Sequence, residues 1–191
     1  PRSSSSLTQT LTGGGDGMPA AGRSRCCRAS AWLRMPPIFF AENAGSRMGD
    51  TWFIPLPLHH VGGMVSGILA VLWSAATYVV VERFTPNIAM RAVREARATI
   101  LGLVPTMVID LLKEPDVAES EFTDVRTVIG GATAVDPMLI DEIERRLGIR
   151  FLVAYGQSEA PCMTMSVDAD TAAVRTRTLG HPLPGRDYCI A

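Results

Sequence analysis

Five consecutive positions, Tyr155, Gly156, Gln157, Ser158 and Glu159, place an aromatic ring, a bare backbone, an amide, a hydroxyl and a carboxylate directly after the apolar run Arg150–Ala154. No helix start signal separates the two. Tyr155 offers a flat face on which a base can stack. Gly156 lets the main chain come close to a ligand. Ser158 is a donor for a phosphate oxygen, and Glu159 is the hard oxygen ligand that Mg²⁺ takes alongside phosphates. Singly, each has a plainer reading: a core aromatic, a helix cap, a solvated charge. Together at a strand end they fit a ligand with a flat face, a phosphate and a metal.

The elements that must position this loop are legible from Thr51 onward. TWFIPLP reads as a strand, Gly63 to Ala75 as a helix, TYVVVE as a strand, and Pro86 to Ala98 as a helix with Thr85 as N-cap and Pro86 at N1. TILGLV is a strand and PTMVIDLLKE a helix; RTVIGG is a strand. Asp136 and Pro137 then open a helix whose Leu139, Ile143 and Leu147 share one face and which Gly148 ends. Strands alternating with helices of this length imply right-handed βαβ crossovers, and so an α/β fold: a mostly parallel sheet with helices on both faces. No internal repeat is visible. In such sheets ligands sit beyond the carboxyl ends of the strands. PLHHVGG, GGATA and YGQSE fall at three such ends, and they are expected to line one crevice.

Composition narrows the partners. A chain of 191 residues buries roughly 70% of its unfolded surface. Eighteen basic and nineteen acidic residues give a net charge of −1, with no field favouring nucleic acid or an anionic membrane. Cys26, Cys27, Cys162 and Cys189 have no CxxC spacing, and the adjacent pair is a poor disulfide, so they read as reduced and the chain as cytoplasmic. Val61 to Val81 is an uncharged run of 21 residues, long enough to span a bilayer. Its small and γ-branched first half suits a helix and its β-branched YVVV suits a strand, so a buried helix followed by a buried strand accounts for both halves and no transmembrane segment is expected. Residues 1–37 differ from the rest, with five arginines, one acid, a serine run, a glycine triplet and no apolar period. They are set apart as an atypical, poorly ordered segment, leaving 38–191 as the folded part.

YGQSE resembles the Tyr-Gly-x-Ser/Thr-Glu motif of the adenylate-forming (AMP-binding) superfamily, which includes acyl-CoA synthetases, firefly luciferase and peptide-synthetase adenylation domains. From about Asp50 to Ile190, PLPLHHVGGM, LVPTM, VIGGATAV and TLGHPLPG are similar to further motifs of that family, in the family's order. The resemblance implies part of the large N-terminal domain of an acyl-CoA synthetase, using ATP, Mg²⁺ and CoA on a fatty or cyclic carboxylic acid. It implies that Gly130, Gly131 and Ala132 border the adenine, that Tyr155 stacks on it, and that Gly156 and Gln157 belong to the same nucleotide site. Ser158 would meet the α-phosphate and act with Glu159 in catalysis, Glu159 holding Mg²⁺. His60 matches a histidine that gates the acyl pocket, and Val104 to Thr106 would form its wall, with Val104 and Thr106 as named contacts. His59 is expected only to pack.

The chain departs from the family in one motif. Thr12 to Ala20, TGGGDGMPA, matches the phosphate loop at Gly14, Gly17 and Pro19, but Gly15 and Asp16 replace two threonines and Ala20 replaces a lysine. Asp16 brings the wrong sign of charge to a triphosphate. The sequence also ends before the family's ribose-binding aspartate and its small C-terminal lid domain. The expectation is a ligase fragment inactive as an isolated chain. A non-catalytic nucleotide-binding pseudoenzyme fragment and a peptide-synthetase-type adenylation domain are the alternatives.

Overall fold

The structure, a computed structural model, describes residues 37–115, 117, 122–131 and 135–184. The phosphate-loop-like Thr12–Ala20, Ala132, and Cys26, Cys27 and Cys189 lie outside the described residues, as do 1–36 of the segment set apart by composition.

Seven strands form one sheet: β1 Thr51–Phe53, β2 Thr77–Val79, β3 Ile100–Gly102, β4 Thr127–Gly131, β5 Arg150–Tyr155, β6 Thr164–Met165 and β7 His181–Pro182. Their order in space is β2-β1-β3-β4-β5-β6-β7. The first five are parallel, as the alternation of strands and helices predicts; β6 and β7 are added antiparallel. The chain leaves β1 toward β2 on one side and reaches β3 on the other. The order therefore reverses between β1 and β3, the switch point at which open α/β sheets form their ligand crevice.

Period-two alternation divides the strand residues between two cores. Phe53, Leu101, Val128 and Phe151 face one way and pack under α4 (Pro86–Ala96), α5 (Pro105–Lys113) and α6 (Pro137–Leu147). Trp52, Ile54, Ile100, Ile129 and Leu152 face the other way, under α1 (37–43) and α3 (Ala70–Trp73). Both faces are thus covered, and the strands read as nearly continuous apolar runs for that reason.

The local signals acted where they were placed. Thr85 caps α4 through Ile88 N–H at 3.2 Å, and Asp136 caps α6 through Met138 N–H at 2.9 Å, each helix having proline in its first turn. Gly148 closes α6 in the left-handed region at φ 66°. Several boundaries differ from the sequence reading. β1 stops at Phe53, because Pro55 and Pro57 carry no N–H for a ladder. α4 stops at Ala96, where Arg97 turns left-handed at φ 51° and ion-pairs with Asp124 at 3.0 Å. The helix predicted from Gly63 begins earlier, as α2 Val61–Gly63, and runs through a π-helical stretch, Met64–Leu69, into α3, ending at Trp73. Among the described residues no helix is long and apolar enough to cross a membrane, and YVVV is strand only through Val79.

At the amino ends of the strands, Asp50 holds three of them in register. Its carboxylate accepts from Arg126 Nη1 at 2.7 Å and Nη2 at 2.5 Å, from the Thr99 hydroxyl at 3.0 Å and from Arg47 N–H at 2.6 Å. Burial alone would raise this carboxyl, but those donors and the Arg126 charge outweigh it and hold the pKa below the usual carboxylate value. Keeping the charged cluster at this end leaves the opposite end of the sheet for the site.

Candidate functional site

A cavity of about 150 Å³ opens at the carboxyl ends of β1, β3, β4 and β5, on the face covered by α1 and the helix after β1. The strand ends supply Gly102 to Val104, Ile129 to Gly131 and Ala154 to Gly156; the β1 end and the following helix supply Ile54, His60 to Gly62, and Ser66. The walls are predominantly apolar, as in most small-molecule sites.

Backbone proximity explains the glycines. A Cβ on Gly131 would overlap the Ala154 carbonyl oxygen, and one on Gly130 would overlap the Phe151 ring. The β4 and β5 ends therefore close together only without side chains at these two positions. On Gly156 a Cβ would lie 2.5 Å from Cys162 N, because the chain doubles straight back. That return is a tight turn closed by reciprocal main-chain bonds, Gln157 N–H to Ala160 O and Ala160 N–H to Gln157 O, both 3.1 Å. Met163 N–H then reaches Tyr155 O at 2.7 Å and β6 begins.

The turn decides where the sequence-selected residues lie. Tyr155 and Gly156 are half-buried and line the cavity with Gly130 and Gly131, so the GG and YG segments share one crevice. Gln157 Nε2 donates to Tyr155 Oη at 2.9 Å, fixing the outer edge of the ring. Gln157, Ser158 and Glu159 are exposed at the tip of the turn and do not line the cavity. His60 does line it. Its Nδ1 accepts from Gly62 N–H at 3.0 Å and caps α2, so in the neutral ring the proton sits on Nε2. His59 is exposed. Val104 is in the wall, whereas Thr106 is exposed on α5, one position into the helix that Pro105 opens, and is not part of it.

Sequence reasoning did not pick out Phe40, Ser66, Pro161 or Cys162, all of which line the cavity. Ser66 lies on the π-helical stretch, and its Oγ is 3.1 Å from Cys162 Sγ across the cavity wall. Cys162 is 5% exposed, in the left-handed region at φ 51°. The usable signal was the position of Cys162 just after the YGQSE turn; nothing in the local sequence announced Ser66.

Among the described residues no three His, Cys, Asp or Glu side chains converge on a point where a metal would sit. Glu159, exposed at the tip of the turn, has the hard oxygen-donor chemistry that Mg²⁺ takes alongside phosphates and water.

Known proteins are similar to this chain in sequence and in fold. The chain is 30% identical over 185 residues to an octahydroindenyl-propanoyl:CoA ligase of Rhodococcus jostii, covering 96% of this chain and 34% of that protein. In structure it is similar to ATP-bound MatB from Rhodopseudomonas palustris, with a TM-score of 0.72 at 22% identity over 78% of this chain and 29% of that one. It is also similar to the N-terminal domain of FACL13 from Mycobacterium tuberculosis, with a TM-score of 0.71 at 17% identity over 95% of this chain and 49% of that one. The fold is that of the N-terminal domain of adenylate-forming enzymes, and the chain spans about a third of the length of the ligase it matches. The model of the AMP-binding enzyme family matches residues 24–191, and with the crevice at the switch point and the motifs that line it, the chain belongs to that family.

Proposed function

We propose that this chain forms the nucleotide- and acid-binding part of an AMP-forming acid–CoA ligase. The observation that carries the reading is the meeting of Tyr155 and Gly156 with Gly130 and Gly131 above an apolar cavity that His60 also lines. In this reading the adenine stacks on Tyr155, oriented by the Gln157 amide, and is bordered by Gly130, Gly131 and Ala132. Ser158 and Glu159, at the exposed tip of the turn, face a polyphosphate outside the apolar cavity; Ser158 donates to the α-phosphate and Glu159 contributes to Mg²⁺. Val104 and His60 bound the acid. Thr106, on the outer face of α5, has no part in it.

The chemistry is acid activation by ATP. A carboxylate oxygen attacks the α-phosphorus in line, pyrophosphate leaves, and the CoA thiol then displaces AMP from the acyl-adenylate. Both reactants are anions, so position and charge compensation dominate the barrier. A bound Mg²⁺ supplies that compensation. The protein's part is to fix the base, hold the acid in a dry cavity and present a hydroxyl donor where charge moves.

A second reading, nucleotide binding without turnover, is favoured by Gly15, Asp16 and Ala20, which replace phosphate-loop donors and a lysine of the family motif. ATP–pyrophosphate exchange across a panel of fatty and cyclic acids, run beside direct Mg-ATP titration, separates the two. Acid-dependent exchange supports the ligase. Saturable binding without exchange supports the second reading, and absence of both sinks each.

A further inference from the structure

The strand that ends in Tyr155 is held differently along its two edges. Toward β4, β5 pairs from Arg150 to Ala154; toward β6 it pairs only at Ala154 and Tyr155. Before that short pairing, side chains take over the ladder. Ser166 follows β6 directly and is fully buried. Its N–H donates to Val153 O at 2.9 Å, and its hydroxyl accepts from Val153 N–H at 2.8 Å. In a regular antiparallel pair the second of these bonds goes to the partner's main-chain carbonyl; here the hydroxyl takes it. Two residues earlier, Phe151 N–H donates to Glu144 Oε1 at 3.1 Å, a carboxylate reaching down from α6.

That carboxylate is itself fixed. Arg175, buried on α7 (Ala172–Arg177), donates from Nε to Glu144 Oε1 at 3.1 Å and from Nη2 to Oε2 at 2.9 Å, while its Nη1 donates to Asp170 O. A forked pair of this kind restricts orientation as well as distance. Neither Ser166 nor Glu144 nor Arg175 lines the cavity. Their grip on Val153 and Phe151 still sets where β5 ends, because only Ala154 separates Val153 from Tyr155. Without the Ser166 hydroxyl, a buried N–H loses its acceptor, and the main chain must shift to relieve it. Gly131 packs so closely on Ala154 O that a Cβ would overlap it, so such a shift is felt at once by the glycine wall.

We infer that Ser166 is a positioning residue for the nucleotide: from outside the cavity, and backed by the Glu144–Arg175 pair, it holds Tyr155 where the base stacks. The inference rests on the reading of Tyr155 as the stacking ring. Its test is a double-mutant cycle in the full chain, read as Mg-ATP affinity by calorimetry. Ser166→Ala should weaken Mg-ATP about fivefold, a smaller loss than that of Tyr155→Ala. In the Tyr155→Ala background the same substitution should change affinity by less than about twofold, because the ring through which it acts is gone. Asp50→Asn, which loosens the amino end of the sheet, controls for stability alone and should bind within about twofold of the parent. Where Ser166→Ala does not fold by circular dichroism, Ser166→Cys places a weak acceptor at the same point and should show the same dependence on Tyr155. Parental affinity in the Ser166 variant, an equal loss in both Tyr155 backgrounds, or an equal loss in Asp50→Asn would overturn the positioning role while leaving a nucleotide site in place. Binding indifferent to Tyr155→Ala, or no binding by the parent, would overturn the stacking reading itself, and this inference with it.

Discussion

Gly130 and Gly131 end β4 where the main chains of β4 and β5 come closest, and the cleft depends on that approach. Gly131→Ala would drive a methyl into a backbone carbonyl that has no freedom to move, so a loss of about 3 kcal/mol is expected in urea unfolding. Gly62→Ala is the control at the opposite wall. Its Cβ would meet the flexible end of Leu56 at 3.0 Å and His60 Nδ1 at 3.3 Å, and a loss under about 1 kcal/mol is expected. Equal losses would mean that the β4–β5 approach is not the tight point. His60 carries two jobs that one pair of variants can separate. Asparagine is a good N-cap, so His60→Asn should stay within about 0.5 kcal/mol of the parent while His60→Ala loses about 1 kcal/mol. If the ring also bounds the acid, both variants weaken carboxylate binding alike; parental affinity in the asparagine variant would reduce His60 to a cap. Residue types at strand ends made Tyr155, Gly130 and His60 legible in sequence. The turn that swings Ser158 and Glu159 out of the cavity was not, because it is set by main-chain bonds between Gln157 and Ala160 that no side chain announces.

At the scale of elements, the legible parts were those with strong local chemistry. α4 and α6 carry capping side chains with proline at N1, and the five parallel strands carry apolar runs. β6 and β7 are two residues each and pair only because the turn returns the chain beside β5, so periodicity had nothing to register. The π-helical stretch was equally silent, since its residues satisfy an α-helical pattern and only packing on Tyr78 and the cavity distinguishes them. The Asp50 cluster ties elements far apart in sequence and makes a pH prediction with a definite sign. The Asp50 carboxyl is held below its ordinary pKa, and so is Asp170, where burial works against the His181 and Val167 hydrogen bonds and nearby positive charge. Each group therefore contributes stability that is full above the unfolded carboxylate pKa of about 3.9 and is lost as pH falls through the folded value. Urea midpoints should be level from pH 7 to 5 with respect to these two groups and decline below about pH 4. Asp50→Asn should cost about 2 kcal/mol at pH 7 by leaving Arg126 without its anion, and should show a shallower acid decline than the parent. An unchanged acid slope would remove Asp50 from the account.

For the molecule as a whole, separation of tasks between the two ends of one sheet is the organising feature. Asp50, Thr99 and Arg126 fasten the amino ends of β1, β3 and β4; the carboxyl ends of the same strands, with β5, open onto the cavity. The central claim is that a nucleotide occupies the second end. Titrating Mg-ATP into the ¹⁵N-labelled chain tests this most directly. Saturable shifts are expected, confined to the amides of Gly130, Gly131, Tyr155, Gly156 and their neighbours, and weakened on the order of tenfold or more by Tyr155→Ala, since base stacking on an aromatic ring is worth about 1–3 kcal/mol. Shifts centred on Asp50 and Arg126, or none at saturating nucleotide, would contradict it.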